Sequence, residues 1–171
     1  MYKEEKNVNN ISRKELLDIL FDLLRKHNIT LSTAESCTGG LIAGAITSLA
    51  GISSYYKEGF VTYANEAKNK HLNVPEHILE NHGAVSHQTA FYMVRGLVKN
   101  TGADVGVAVT GIAGPGGGSQ EKPVGLVYIS TCAKDDVTVT KNIFSGDREN
   151  VRNMTVDMAL KLLIEKIEEK F

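Results

Sequence analysis

The sequence predicts an α/β protein, a three-layer α/β/α sandwich around a mixed, mostly parallel sheet. Three observations carry that reading. Strand-like and helix-like segments alternate over most of the chain, as βαβ units require. Asp104-Val-Gly-Val-Ala-Val-Thr110 is almost continuously apolar, the mark of a strand covered on both faces. Near the end, two strand-like runs flank Lys134-Asp-Asp136 as a hairpin, which adds an antiparallel strand toward one edge. A chain of 171 residues suits one such domain. No repeat, linker or change of composition divides it, so residues 12–171 are expected to form a single domain behind a polar N-terminal arm of residues 1–11.

Each element follows from local chemistry. Ser12 and Glu15 form a capping box, and Leu16, Ile19, Leu20, Leu23 and Leu24 follow at helical spacing until Asn28. Residues 29–34 alternate as a strand. A helix of small residues runs from Leu41 to about Leu49, and Gly51 ends it. Phe60-Val-Thr-Tyr63 is the next strand, leading to a short helix that carries Lys68. A second short helix opens at Pro75 and stops at Gly83. Ser86 opens a longer helix with Ala90, Val94, Leu97 and Val98 on one face. After the apolar strand comes a glycine-rich loop from Gly111 to Pro123, then the hairpin strands 124–131 and 137–144. A final helix starts near Asp147 and buries Val151, Met154, Met158, Leu162 and Ile167.

Composition excludes several function classes. Nineteen Lys and Arg against 20 Asp and Glu leave a net charge of -1, without the positive field that nonspecific nucleic-acid or anionic-membrane binding needs. Two cysteines, Cys37 and Cys132, make neither a disulfide framework nor a four-ligand zinc site. No apolar run approaches the ~20 residues of a membrane span, and the first residues are polar where a secretory signal would be apolar. A reducing cytoplasm is the expected location.

Two stretches can carry chemistry. Glycines 111, 114, 116, 117 and 118 crowd one loop. Beyond a strand end, such a loop either brings backbone N–H groups close to a ligand or is a plain surface connection. It lacks the Gly-Lys-Ser/Thr ending of a Walker loop and leads into a strand, so it is not a dinucleotide fingerprint either. Ser36, between a strand and a helix, either caps that helix or acts as a nucleophile whose oxyanion the first free N–H groups hold. Cys37 is a rival nucleophile or a packing residue.

A serine nucleophile needs a base. The sequence has no Gly-x-Ser-x-Gly elbow, the five histidines do not share a helical face, and no His-Glu-x-x-His motif predicts a metal. Ser54-Tyr-Tyr-Lys57 matches Ser-x-x-Lys without a Lys-Thr-Gly companion, a chance match. Tyr63 and Lys68 are then the available pair, as a strand-end tyrosine and a lysine base or as a half-buried aromatic and a solvated charge. A lysine base must lose ~3 pH units of basicity, which burial can supply.

Several longer motifs stand in a fixed order: Thr33-Ala-Glu-Ser-Cys-Thr-Gly-Gly40, Gly59-Phe-Val-Thr-Tyr-Ala-Asn-Glu-Ala-Lys68, Gly83-Ala-Val-Ser86, Val109-Thr-Gly-Ile-Ala-Gly-Pro115, Glu121-Lys-Pro-Val-Gly125 and Phe144-Ser-Gly-Asp-Arg148. In this order and spacing they closely resemble the CinA C-terminal domain family, the nicotinamide-nucleotide amidases also called PncC, over roughly residues 12–168.

The resemblance implies hydrolysis of the carboxamide of nicotinamide mononucleotide to nicotinate mononucleotide and ammonia, without metal or cofactor. It further implies a role in pyridine nucleotide salvage toward NAD, in the bacterial cytoplasm, by a homo-oligomer; the net charge of -1 and the lack of an apolar span, not the resemblance, are what set the expectation of no nucleic-acid or membrane partner. Matched residue by residue, Ser36 takes the nucleophile's place, with Tyr63 and Lys68 as its catalytic partners. The backbone of Cys37 and Thr38 is expected to hold the oxyanion. Thr110, Arg148 and the loop glycines Gly111, Gly114, Gly116 and Gly117 are expected to bind the substrate, the loop and Arg148 at its phosphate. Many relatives carry a larger preceding domain with pyrophosphatase activity; this chain is expected to be a stand-alone form without it. A silent nucleotide-binding module and an amidase for another small carboxamide are the alternatives.

Overall fold

The computed structural model describes residues 11–171. The arm expected over residues 1–11 lies outside the described residues apart from Ile11, which packs against the core. Five strands form one sheet: β1 (Leu31–Glu35), β2 (Tyr56–Val61), β3 (Val105–Gly111), β4 (Leu126–Ala133) and β5 (Asp136–Ile143). Their order is β2-β1-β3-β4-β5. β1 pairs parallel with β2 and β3, whereas β4 runs antiparallel to both β3 and β5. Four strands thus point one way and β4 the other, which is the mixed sheet the sequence predicts.

Helices cover both faces. On one face, α1 (Arg13–His27), α2 (Leu41–Thr47) and α6 (Arg148–Lys170) enclose Leu20, Leu24, Leu31, Val107, Val109, Leu160 and Leu163. On the other, α3 (Asn65–Leu72), α4 (Glu76–His82) and α5 (His87–Thr101) enclose Ala34, Leu72, Met93, Val94, Leu97 and Ala108. Caps set the helix ends. Ser12 and Glu15 close the capping box of α1, and Asn28 ends it at φ 51°. Ser86 and Asp147 cap α5 and α6 through the N–H groups of Thr89 and Asn150, each worth about 1 kcal/mol. Lys134 and Asp135, both at positive φ, make the tight turn of the β4–β5 hairpin.

β2 departs from expectation. It begins at Tyr56 and ends at Val61, so Tyr63 lies beyond it. Lys57, Glu58 and Gly59 hide it from an apolar pattern because it is an edge strand with few buried positions. Its pairing is anchored instead by a polar contact, 2.6 Å between Tyr56 Oη and Thr33 Oγ1. A Cβ on Gly59 would stand 2.2 Å from that tyrosine oxygen, so only glycine leaves the contact intact.

Alternation along β1 and β3 sorts side chains between the layers. Leu31 and Glu35 point toward α1, α2 and α6; Ala34, and with it Ser36, points toward α3 and α5. On β3 the valines 105, 107 and 109 take the first face, and Ala108 and Thr110 take the second. α5 closes tightly on α3, since a Cβ on Gly96 would lie 1.8 Å from the Leu72 carbonyl oxygen. That approach holds Lys68 against the end of the sheet.

Candidate active site

The carboxyl ends of β1, β2 and β3 open into one cavity of about 280 Å³. It is lined by Ser36, Cys37, Tyr63, Lys68, Thr110, Arg148 and the loop residues Gly111, Gly114, Gly116 and Gly117, with Ala84, Val85 and Ile112 as an apolar wall. Open α/β sheets collect ligands at this position. Of the residues expected to catalyse, to hold the oxyanion or to bind substrate, only Thr38 is absent from the lining; it is fully buried in the turn that follows Ser36. A larger depression of about 760 Å³, between α5 and the β4–β5 turn, contains none of them.

Lys68 is the centre of the arrangement. Its side chain is 0% exposed, and Nζ lies 3.2 Å from Ser36 Oγ. Nζ also donates to the carbonyls of Thr62 at 2.8 Å and Tyr63 at 3.3 Å. Nζ thus donates to three oxygens, and once the amine is neutral its two N–H groups can keep the carbonyls while the lone pair takes a proton from the Ser36 hydroxyl. Burial lowers the Lys68 pKa from 10.5 to about 8, opposed only by the nearby Cys37. No carboxylate is paired with it among the described residues.

Ser36 does not cap α2. The turn Cys37–Gly40 separates it from Leu41, the first helical residue. The helix start is held by Glu35, whose carboxylate accepts from the N–H groups of Gly40, Ile42 and Ala43 at 2.8–3.1 Å. Glu35 is thus a helix anchor on the opposite face from Lys68. Because it occupies those donors, the N–H groups near Ser36 that donate to no other residue's carbonyl among the described residues are those of Cys37, which contacts its own thiol, and Thr38. The Cys37 thiol is buried and its pKa is raised to about 11 by that burial, which keeps it protonated and disqualifies it as a nucleophile near neutral pH.

The other residues fall into place with two changes of role. Tyr63 is 62% exposed, not half-buried in a strand. Its carbonyl meets Lys68, while its hydroxyl accepts from Arg148 Nη2 at 3.2 Å and makes no bond to Ser36 or Lys68. Thr110 is 1% exposed and donates to the Ala84 carbonyl at 2.7 Å, so its hydroxyl braces the cavity wall. Arg148, the first residue of α6, donates Nη1 to the Gly114 carbonyl at 2.8 Å and so reaches the glycine loop. Lys122 Nζ pins the far end of that loop to the His82 carbonyl at 2.7 Å. Sequence reasoning did not single out Arg152, whose Nη2 donates to the Thr38 carbonyl at 2.9 Å; the signal was its position one helical turn after Arg148.

Fold and site together define a three-layer α/β/α domain that buries a serine–lysine pair at the carboxyl edge of its parallel strands. Residues 13–167 match the CinA C-terminal domain, and the chain belongs to that family. A CinA-like protein from Kosmotoga olearia is 47% identical over 150 residues, covering 88% of this chain and 36% of that relative. A relative from Clostridium novyi is 50% identical over 155 residues, covering 91% of this chain and 37% of its own length. The chain thus spans well under half the length of these curated relatives. Among solved structures, the competence/damage inducible protein CihA from Agrobacterium tumefaciens superposes with a TM-score of 0.86 at 47% identity, covering 90% of this chain and 94% of that one. A CinA superfamily protein from Escherichia coli gives 0.88 at 33% identity, covering 97% and 99%.

Proposed function

We propose that this chain is a nicotinamide-nucleotide amidase: it hydrolyses the carboxamide of nicotinamide mononucleotide to nicotinate mononucleotide and ammonia through a Ser36 acyl-enzyme. The observation that carries the reading is the 3.2 Å approach of a fully buried Lys68 Nζ to Ser36 Oγ at the floor of a cavity. The depressed lysine pKa supports it, because about a tenth of the amine is uncharged at pH 7 when the pKa is about 8.

In this mechanism neutral Lys68 takes the Ser36 proton as Oγ attacks the amide carbon. The Cys37 and Thr38 N–H groups bind the oxyanion. Collapse breaks the C–N bond, and the Lys68 ammonium returns its proton to the departing ammonia. Water then attacks the acyl ester with Lys68 again as base, releasing the carboxylate and restoring the Ser36 hydroxyl. Thr110 acts on the wall and not on the substrate directly. Arg148, with N–H groups of the loop at Gly111, Gly114, Gly116 and Gly117, binds the phosphate, and Tyr63 orients Arg148. The reaction serves pyridine nucleotide salvage in the bacterial cytoplasm, in a homo-oligomer, with residues 12–171 as the working domain.

The test is ammonia release from nicotinamide mononucleotide by the purified chain, alongside Ser36→Ala. Turnover is expected in the wild type, with a loss of ~10⁴-fold or more in the variant and an unchanged circular dichroism spectrum. Turnover of another small carboxamide instead would correct the substrate, and undiminished activity of Ser36→Ala would remove the nucleophile.

A further inference from the structure

We infer that Arg152 is a positioning residue that strengthens the oxyanion donor of Cys37 through two intervening peptide groups. The inference rests on the serine-nucleophile reading above and adds to it a residue that no step there uses. The path is continuous. Arg152 Nη2 donates to the Thr38 carbonyl at 2.9 Å. That carbonyl shares its peptide group with the Gly39 N–H, which donates to the Ser36 carbonyl at 3.1 Å. The Ser36 carbonyl in turn shares its peptide group with the Cys37 N–H, on the cavity lining.

Hydrogen bonds in series polarise one another, and a full positive charge at the tail of such a chain sets the direction. The guanidinium draws electron density toward the Thr38 oxygen, then from the Gly39 N–H, then toward the Ser36 oxygen. The Cys37 hydrogen is left more positive, which is what an oxyanion needs.

The way Arg152 is held favours this role over simple knitting of helices. Arg13, an arginine that ties α1 to α6, commits Nε and both Nη atoms to Asp157 and Asn153. Arg152 makes one hydrogen bond, its buried Nε has no partner, and no carboxylate neutralises it among the described residues. An unneutralised, partly buried cation costs stability. Gly39, at φ 61°, gives the turn the left-handed step that aims the Thr38 carbonyl at it.

The test compares wild type with Arg152→Met, Arg152→Gln and Arg152→Lys by two readouts. One is steady-state ammonia release from nicotinamide mononucleotide; the other is the rate at which a fluorophosphonate probe labels Ser36, since the phosphoryl oxygen enters the same donors. Arg152→Met is expected to lower kcat and the labelling rate in parallel, by roughly 10- to 50-fold, below the ~100-fold or more for removing a donor outright. KM should stay within a factor of about two. Arg152→Gln, which keeps a donor for the Thr38 carbonyl without the charge, should be slowed at least fivefold and replaces Met if that variant does not fold. Arg152→Lys should recover most of the rate. Wild-type rates in both neutral variants, an effect on KM alone, or a lysine variant as slow as Met would overturn the inference. A wild type that labels at Ser36 but leaves nicotinamide mononucleotide intact would sink the substrate assignment only, with labelling still deciding the role of Arg152. A wild type that does neither removes the nucleophile and this inference with it.

Discussion

The two ends of the cavity are built in opposite ways. At the reacting end Ser36, Lys68 and Thr110 are 8%, 0% and 1% exposed, and each is placed by a strand end or by a helix packed on the sheet. At the other end Tyr63 is 62% exposed, Arg148 opens α6, and the glycine loop runs over the surface. The difference follows from what the proposed reaction asks of each end. An amine gives up part of its charge near neutral pH only where water is scarce. A group that recognises a charged ligand must instead be reachable before that ligand arrives. Dryness requires a rigid frame, whereas recognition tolerates loops.

The contrast can be broken by removing the buried amine. Lys68→Met should cost kcat roughly 10³-fold, within the span of general-base effects, measured by ammonia release. In the wild type, kcat/KM should rise with pH and level off above an inflection near 8, where Lys68 loses its proton. The same group sets a stability trend. Lys68 titrates at about 8 in the fold against 10.5 ordinarily, so between those values the unfolded chain binds more protons and stability rises with pH. The cost of burying the charged amine is felt in full below pH 8. Lys68→Met should therefore be more stable than wild type at pH 7, by on the order of 3 kcal/mol before any loss from the stranded carbonyls, with the gain fading toward pH 10.5 in urea titrations.

A subtler disruption leaves every reacting group in place. Gly96→Ala puts a methyl group against the Leu72 carbonyl and should force α3 away from α5. A loss of about 1–3 kcal/mol in stability is expected, with a fall in kcat of roughly 30-fold as Lys68 withdraws from Ser36. At the exposed end the effect should move from kcat to KM. Arg148→Ala should raise KM for the mononucleotide about 10- to 100-fold, the worth of a charge-assisted hydrogen bond, and leave the phosphate-free riboside unaffected. Tyr63→Phe should be mildest, about two- to fivefold in KM, because it removes one partner of Arg148 and keeps the carbonyl that holds Lys68. A kcat effect of Tyr63→Phe as large as that of Lys68→Met would mean that the hydroxyl relays protons after all.

How legible each part was follows from its physics. Elements with strong caps or continuous apolar runs, such as α1, α5 and β3, could be read directly. β2 could not be bounded, since an edge strand of Lys57, Glu58 and Gly59 carries no burial signal and is aligned by the Tyr56–Thr33 contact across the sheet. The lysine beside Ser36 was only one of two readings, because its desolvation depends on how α3 meets α5 at Gly96, far away in sequence. The helix-cap reading of Ser36 failed for a similar reason: the neighbouring Glu35 supplies the cap through its side chain. Arg152 was marked only by its place one turn after Arg148, because its contact is to a backbone carbonyl 114 residues away, and a carbonyl has no residue type.

Glu35 and Ser36 are joined by a single peptide bond yet serve opposite sides of the sheet. Deleting or inserting one residue between Leu31 and Ala34 would exchange their directions, aiming an acid at Lys68 and an alcohol at the start of α2. The two sites would be lost together: the amine would gain a counter-ion that keeps it charged, and α2 would lose the acceptor of its first N–H groups. Within β1, then, the chain tolerates no change of length, because one step of register reassigns both residues at once.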